Sequence, residues 1–145
     1  MKTYKIFTAG KMGGLDYNEQ MNWRKEIEKL ITSISDKSIS FIHPPLYYQY
    51  KENDIENDVE SKTWEINQLK DSDIVIVDLS TIADSIGTHI ELGIVDTINS
   101  TSNRFIYIVG IGKSNINHPW ISQILFHRED TLEEAADYIS SYLLI

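Results

Sequence analysis

Residues 73–93, DIVIVDLSTIADSIGTHIELG, divide into a strand, a turn and the start of a helix. Residues 73–79 carry a run of β-branched side chains, Ile74 to Val77, between two aspartates. The run is too short for a helix, and its unbroken apolarity suits a parallel strand buried on both faces. Residues 80–85 form a turn, at whose end Asp84 or Ser85 can cap a helix. Ile86, Ile90, Ile94 and Ile98 then recur at helical spacing and predict an apolar stripe. Glu91 lies one position off that stripe, in the second turn. A carboxylate is thereby placed near the carboxyl end of a parallel strand, where open α/β sheets bind ligands. Gly87 lies one turn earlier on the same side, and its missing side chain leaves room for a ligand to approach the backbone.

On either side of this stretch, strands are expected at 4–9, 39–42 and 104–109, with a short fifth strand at 121–126. Helices are expected at 17–35, 59–70 and 131–144, the first with Trp23, Ile27, Leu30 and Ile31 on one face. Residues 10–16 read as a glycine-bearing loop and 110–119 as another. Residues 46–58 are polar and aromatic without clear periodicity, and Pro44 and Pro45 end the second strand. Strands alternating with helices predict a parallel sheet covered on both faces. No repeat, linker or low-complexity tract interrupts the 145 residues, so 1–145 is expected to be one domain.

Composition narrows the function. The formal charge of −9 argues against a nucleic-acid polymer or an acidic membrane as partner. A monophosphate remains open, because backbone amides at a helix start can hold it despite the global charge. The chain has no cysteine, which removes disulfides, thiolate metal sites and cysteine nucleophiles. His43, His89, His118 and His127 are scattered without metal-ligand spacing. No metal and no cofactor is expected. Neither a signal peptide nor a long apolar run is present, so a cytoplasmic location is expected. Gly110-Ile111-Gly112-Lys113-Ser114 has the end of a P-loop, but Tyr107 stands where its first glycine belongs.

The segment Asp84-Ser85-Ile86-Gly87-Thr88-His89-Ile90-Glu91-Leu92-Gly93, with the N-terminal IFTAGKMGG, resembles the nucleoside 2-deoxyribosyltransferase family and its relatives, the nucleoside 5′-monophosphate N-glycosidases. The resemblance is strongest over 65–93 and at 6–14, and extends over the chain as an order of strands and helices. It implies an α/β, flavodoxin/Rossmann-like three-layer sandwich with a parallel five-stranded sheet. It implies Glu91 as the nucleophile and Glu65, where the family usually has an aspartate, as the residue that helps hold the sugar or the nucleophile. It also implies a small-molecule nucleoside or nucleotide as ligand, and a homodimer or higher homo-oligomer. The 46–50 segment and the loop from Asn115 to Trp120 are the candidates to meet a partner copy.

Breaking an N-glycosidic bond creates an oxocarbenium-like centre, which a carboxylate can stabilise and then trap as a covalent glycosyl-enzyme. Ser85 decides between the family's branches. Transferases acting on free nucleosides usually carry an aspartate there, whereas the monophosphate N-glycosidases carry a serine that binds the 5′-phosphate. A hydroxyl at a helix start donates to a phosphate that an aspartate would repel. Gly10, Gly13 and Gly14 permit close approach of the loop to that phosphate, and Lys11 supplies a point charge where Met12 replaces the family's arginine. The family's tyrosine on strand one is replaced by Ile6 and Phe7, so Tyr47, or its neighbours Tyr48 and Tyr50, is expected to line the base pocket. Asp78, at the carboxyl end of the central strand, is expected to face the ligand, and Thr88 to flank Glu91. The combined expectation is hydrolysis of a nucleoside 5′-monophosphate to free base. Base exchange between deoxynucleosides, action on an NAD-type substrate, and a catalytically weak nucleotide-binding module stay open as alternatives.

Overall fold

The computed structural model describes residues 1–51 and 58–145. One parallel sheet organises them, in the order β2-β1-β3-β4-β5. Its strands are β1 (Thr3–Ala9), β2 (Ser38–Ile42), β3 (Ile74–Asp78), β4 (Tyr107–Ile111) and β5 (His127–Glu129). The helices between them are α1 (Tyr17–Ile34), α2 (Pro44–Lys51), α3 (Asp58–Lys70), α4 (Ile86–Thr101), α5 (Pro119–Ile124) and α6 (Leu132–Tyr138). A π-type turn, Ile139–Leu143, prolongs α6. This is the three-layer α/β sandwich with flavodoxin-like strand order that the sequence predicts.

Alternation along the strands builds a core on each sheet face. Ile6, Ile74, Ile76 and Val109 pack under α1 and α6 with Ile27, Ile31 and Ala135. Phe7, Val75, Val77 and Ile108 pack on the other face with Leu69 of α3 and Leu92 and Val95 of α4. β3 is central and wholly buried up to Val77, which is why its sequence shows no polar alternation. The chain winds from β1 outward to β2, then returns to place β3 on the other side of β1. The loops after β1 and β3 therefore leave the sheet in opposite directions and open a crevice at its carboxyl edge. Asp16 anchors the first loop to α1 by a capping box: it accepts from Glu19 N at 2.8 Å, and its own N–H donates to Glu19 Oε1 at 3.2 Å.

Four expectations need correction. The isoleucine stripe faces the core only in its second half: Ile86 is 79% and Ile90 56% exposed, Ile94 and Ile98 are half-buried against the core, and Thr88, Glu91, Leu92 and Val95 are buried. Residues four apart drift by roughly 40° per step around a helix, so the row of isoleucines winds from solvent at Ile86 towards the core at Ile94 and Ile98. Glu91 lies on the packed face itself. Secondly, residues 44–51 are helical, started by two prolines at positions where no backbone donor is needed. The rest of the predicted irregular segment, 52–57, lies outside the described residues. Thirdly, 121–126 is not a strand. His118 caps α5 by accepting from Trp120 N at 3.2 Å, and Pro119 opens that helix. The fifth strand is His127–Glu129, a short polar edge without apolar alternation to reveal it. Residues 80–85, read as a turn, largely belong to a 3₁₀ helix, Leu79–Asp84, that buries Leu79 and Ile82. Among the described residues no helix is long and apolar enough to cross a membrane.

Candidate active site

A cavity of about 420 Å³ fills the crevice between the loops after β1 and β3. Gly10 to Gly13 form one wall, Asp84 to Thr88 another, and Tyr48, Glu65 and Glu91 the end. A smaller cleft of about 120 Å³ continues from it between Lys62, Ile66 and Ile90, and shares Glu65, Gly87 and Glu91. The two carboxyls thus stand where the spaces meet.

Glu91 is 8% exposed, and among the described residues no N–H or hydroxyl donor reaches its Oε2. Burial holds its carboxyl well above the ordinary carboxylate range; the neighbouring Glu65 charge and a hydrogen bond to Glu65 push the same way, and Arg24 opposes them. Glu65 is also raised, first by burial, but the Tyr48 hydroxyl, the bond to Glu91 and the Arg24 charge restrain it. Tyr48 Oη donates to Glu65 Oε2 at 3.0 Å. Burial and the neighbouring Glu65 raise the tyrosine far beyond any physiological titration. The consistent arrangement is one proton shared by the carboxyls, held towards Glu91, with Glu65 ionised under the tyrosine.

The opposite wall carries one carboxyl, that of Asp84, beside the hydroxyls of Ser85 and Thr88. Ser85 occupies the N-cap position of α4 but makes no side-chain cap bond. Its hydroxyl instead pairs with Thr88 Oγ1 at 2.6 Å, and both side chains are buried. The first-turn amides of α4 therefore have no cap from Ser85, and of two paired hydroxyls one keeps a proton to donate. A Cβ at Gly87 would meet nothing within 4 Å, so its backbone faces open space, as the sequence predicts. Gly10 is packed differently: a Cβ there would lie 3.0 Å from the Trp23 ring and 3.4 Å from Asp78 Cβ. Lys11, half-buried in the wall, makes no ion pair among the described residues.

Of the predicted site residues, Gly10, Lys11, Gly13, Glu65, Ser85, Gly87, Thr88 and Glu91 come together around this cavity. Asp78 does not line it. It caps the 3₁₀ helix, accepting from Ser80 N at 3.0 Å and Ser80 Oγ at 2.7 Å, because a carboxylate at a strand's end meets free backbone donors first. Gly14 lies outside the lining, and its φ of +80° serves the turn before α1. Tyr47 stacks on Trp64, ring centroids 4.0 Å apart, and leaves the cavity to Tyr48, the next residue around α2. The side chain of Tyr50 lies outside the described residues.

The sequence reading missed Arg24. Met21, Arg24, Ile27 and Ile31 are the buried residues of α1, so a charged residue sits on the core stripe, and that was the available signal. A larger cavity of about 520 Å³ lies along α4 and α5 between Ile82, Leu92, Ile121 and Ile124, but no carboxyl lines it. Among the described residues no group of His, Asp and Glu is arranged to hold a metal ion.

No protein-family model and no curated protein matches the chain. A solved structure does: the 2-deoxyribosyltransferase of the psychrotolerant bacterium Bacillus psychrosaccharolyticus, with a TM-score of 0.65 at 17% identity, over 92% of this chain and 91% of that one. The fold is similar to that of a 2-deoxyribosyltransferase. The match spans nearly the full length of both chains, so the likeness includes all the layers that frame the cavity, and at this identity it is a likeness of fold.

Proposed function

We propose that this protein breaks the N-glycosidic bond of a nucleoside 5′-monophosphate and releases the free base. The observation that carries the reading is the buried pair of Glu91 and Glu65 at the end of one cavity, at the sheet's switch point beside a helix start that Ser85 leaves uncapped. Transfer of the shared proton to Glu65 leaves Glu91 as a carboxylate. Glu91 attacks C1′ of the sugar while the bond from C1′ to the base breaks, and Glu65 gives its proton to the departing base nitrogen. Water then attacks C1′, releasing Glu91, and Glu65 takes the water's proton. The pair ends as it began. Tyr48 holds the Glu65 carboxyl in place throughout.

The phosphate is assigned to the wall of Ser85, Thr88 and the Gly10–Gly13 loop, where Lys11 supplies a cation and Asp84 adjoins Ser85. The base is assigned to the cleft of Ile66 and Ile90, whose exposed apolar surface suits a flat ring. A second reading is base exchange, with an incoming base in place of water; the similarity to a 2-deoxyribosyltransferase favours it. We also propose a homodimer or larger assembly as the working form. The deciding experiment incubates the protein with matched nucleosides, 5′-monophosphates and NAD, with and without a second free base, and measures base release and exchange. Release from monophosphates is expected, and no release from any of them would reject the reading.

A further inference from the structure

Arg24 is 0% exposed, yet it makes no direct ion pair among the described residues. Its guanidinium is held by neutral acceptors instead. Nε donates to Thr8 Oγ1 at 3.1 Å, Nη2 to Gly10 O at 3.2 Å, and Nη1 to Gln20 O; the group also lies 4.7 Å from the centre of the Trp23 ring. A buried cation without a contact partner is costly unless nearby charges of opposite sign compensate it. Three carboxyls face it from three elements: Glu91 of α4, Asp78 at the end of β3, and Glu65 of α3. Asp78 is already engaged by Ser80. On its remaining side stands His43, whose Nδ1 lies 2.8 Å from Thr8 Oγ1 and which burial and the Arg24 charge keep neutral, with a pKa lowered to about 4. Tyr48 on Glu65, and Lys11 and Asp84 on the cavity wall, complete the polar surroundings of the carboxyl pair.

We propose that Arg24 is a positioning residue of the site, whose bond to Gly10 fixes the cavity's loop wall and whose buried charge sets the ionisation of the Glu65–Glu91 pair. The two roles follow from one geometry. The guanidinium lies behind the loop, out of the cavity, so it acts on a ligand only through Gly10 and the carboxyls. Without it, among the described residues, the Tyr48 hydroxyl and the bond to Glu91 still favour the charge of Glu65, and no group favours that of Glu91. Its effect on each is to lower the pKa, against the burial that raises it. The Gly10 glycine belongs to the same device, since a Cβ there would press on Trp23 and come within 3.5 Å of Arg24 Nη2.

The proposal rests on the reading of Glu91 and Glu65 as the reacting pair only in its kinetic arm, so the first measurements use no substrate. Carboxyl carbons of labelled glutamates are followed through a pH titration in wild type, Arg24→Gln and Arg24→Lys, with Glu91→Gln and Glu65→Gln for assignment. Arg24→Gln is expected to raise the pair's titration by about one unit or more. Arg24→Lys, which keeps the charge and loses the fork, is expected to leave it near wild type while amide exchange over residues 10–14 speeds up. The wild type gives an independent reading, because coupling between two charges is reciprocal. Its buried Arg24 Nε–H resonance should move with the pair's titration, and that movement should shrink in Glu91→Gln. A pair that titrates unchanged in folded Arg24→Gln, or an Arg24 resonance that ignores the pair, overturns the electrostatic role. Unaltered exchange of residues 10–14 in Arg24→Lys overturns the loop role. Where base release is found, the acid limb of its kcat profile should shift upward in Arg24→Gln and return in Arg24→Lys.

Discussion

Burial and the neighbouring Glu65 hold the Glu91 carboxyl well above the ordinary carboxylate range, so the fold carries a group it would hold more easily uncharged. Two opposite consequences of Glu91→Gln follow. The amide cannot trap the sugar cation, so base release should fall by at least ~10²-fold with the fold intact. The amide also needs no ionisation. A carboxyl whose folded pKa lies above its unfolded value loses stability as pH rises through the folded pKa. Glu91→Gln should therefore melt higher than wild type at pH 8, with the difference shrinking as pH falls towards 5. Thermal melts at several pH values and a base-release assay on the same preparation check both. Ser85 is the second informative residue. A hydroxyl hydrogen bond to a charged group contributes roughly 1.5–3 kcal/mol, so Ser85→Ala should lower kcat/KM for a monophosphate by about tenfold to a hundredfold. Use of the unphosphorylated nucleoside should barely change, because the phosphate's binding energy is absent there. An equal loss on both substrates would leave Ser85 a structural residue and move the base-exchange reading ahead.

Helix α4 is the element that joins core to chemistry. Its sheet-facing side carries Leu92 and Val95, and Glu91 opens the cavity from the same side, so packing the helix also aims the carboxyl. Ile86 and Ile90 lie away from that contact. Leu92→Ala should destabilise by about 2–5 kcal/mol, whereas Ile86→Ala should stay within roughly 0.5 kcal/mol of wild type. Denaturant unfolding of the two variants measures this, and comparable losses would put Ile86 on the packed face with Leu92. The same element shows where pattern reasoning reached its limit. Four isoleucines at equal spacing form the most regular apolar row in α4, while the true buried face mixes Thr88 and Glu91 with Leu92 and Val95. A face that contains site residues cannot look purely apolar.

At the scale of the whole molecule, the acidic chain presents its apolar surface unevenly. Trp120 is 76% exposed beside the about 520 Å³ cavity, and Ile86 and Ile90 are exposed on the neighbouring α4. Contiguous exposed apolar surface commonly marks contacts between copies, and like-charged molecules associate best through such a face. A homodimer at least is expected by light scattering at micromolar concentration. A fully active monomer under those conditions would contradict the assembly. Trp120 belongs to the 115–120 segment expected to meet a partner, whereas Tyr47 of the 46–50 segment is already stacked on Trp64 within the chain.

The sequence by itself determined the inner strands, because strands buried on both faces are short apolar runs with helices alternating between them, whereas the polar edge strand β5 left no such run. The resemblance that the sequence carries singled out Glu91, and the structure buries that carboxyl at the end of the cavity. Tertiary structure alone decided which groups besides Glu65 act on that carboxylate. Arg24, Tyr48 and Glu65 come from three separate helices and meet Glu91 only when the sheet closes, and no local period records such a meeting. It also decided between neighbours that sequence cannot rank: Tyr48 over Tyr47, and Ser85 with Thr88 over Asp78. Each choice depends on which side of a helix or strand end faces the crevice, and a shift of one residue reverses it.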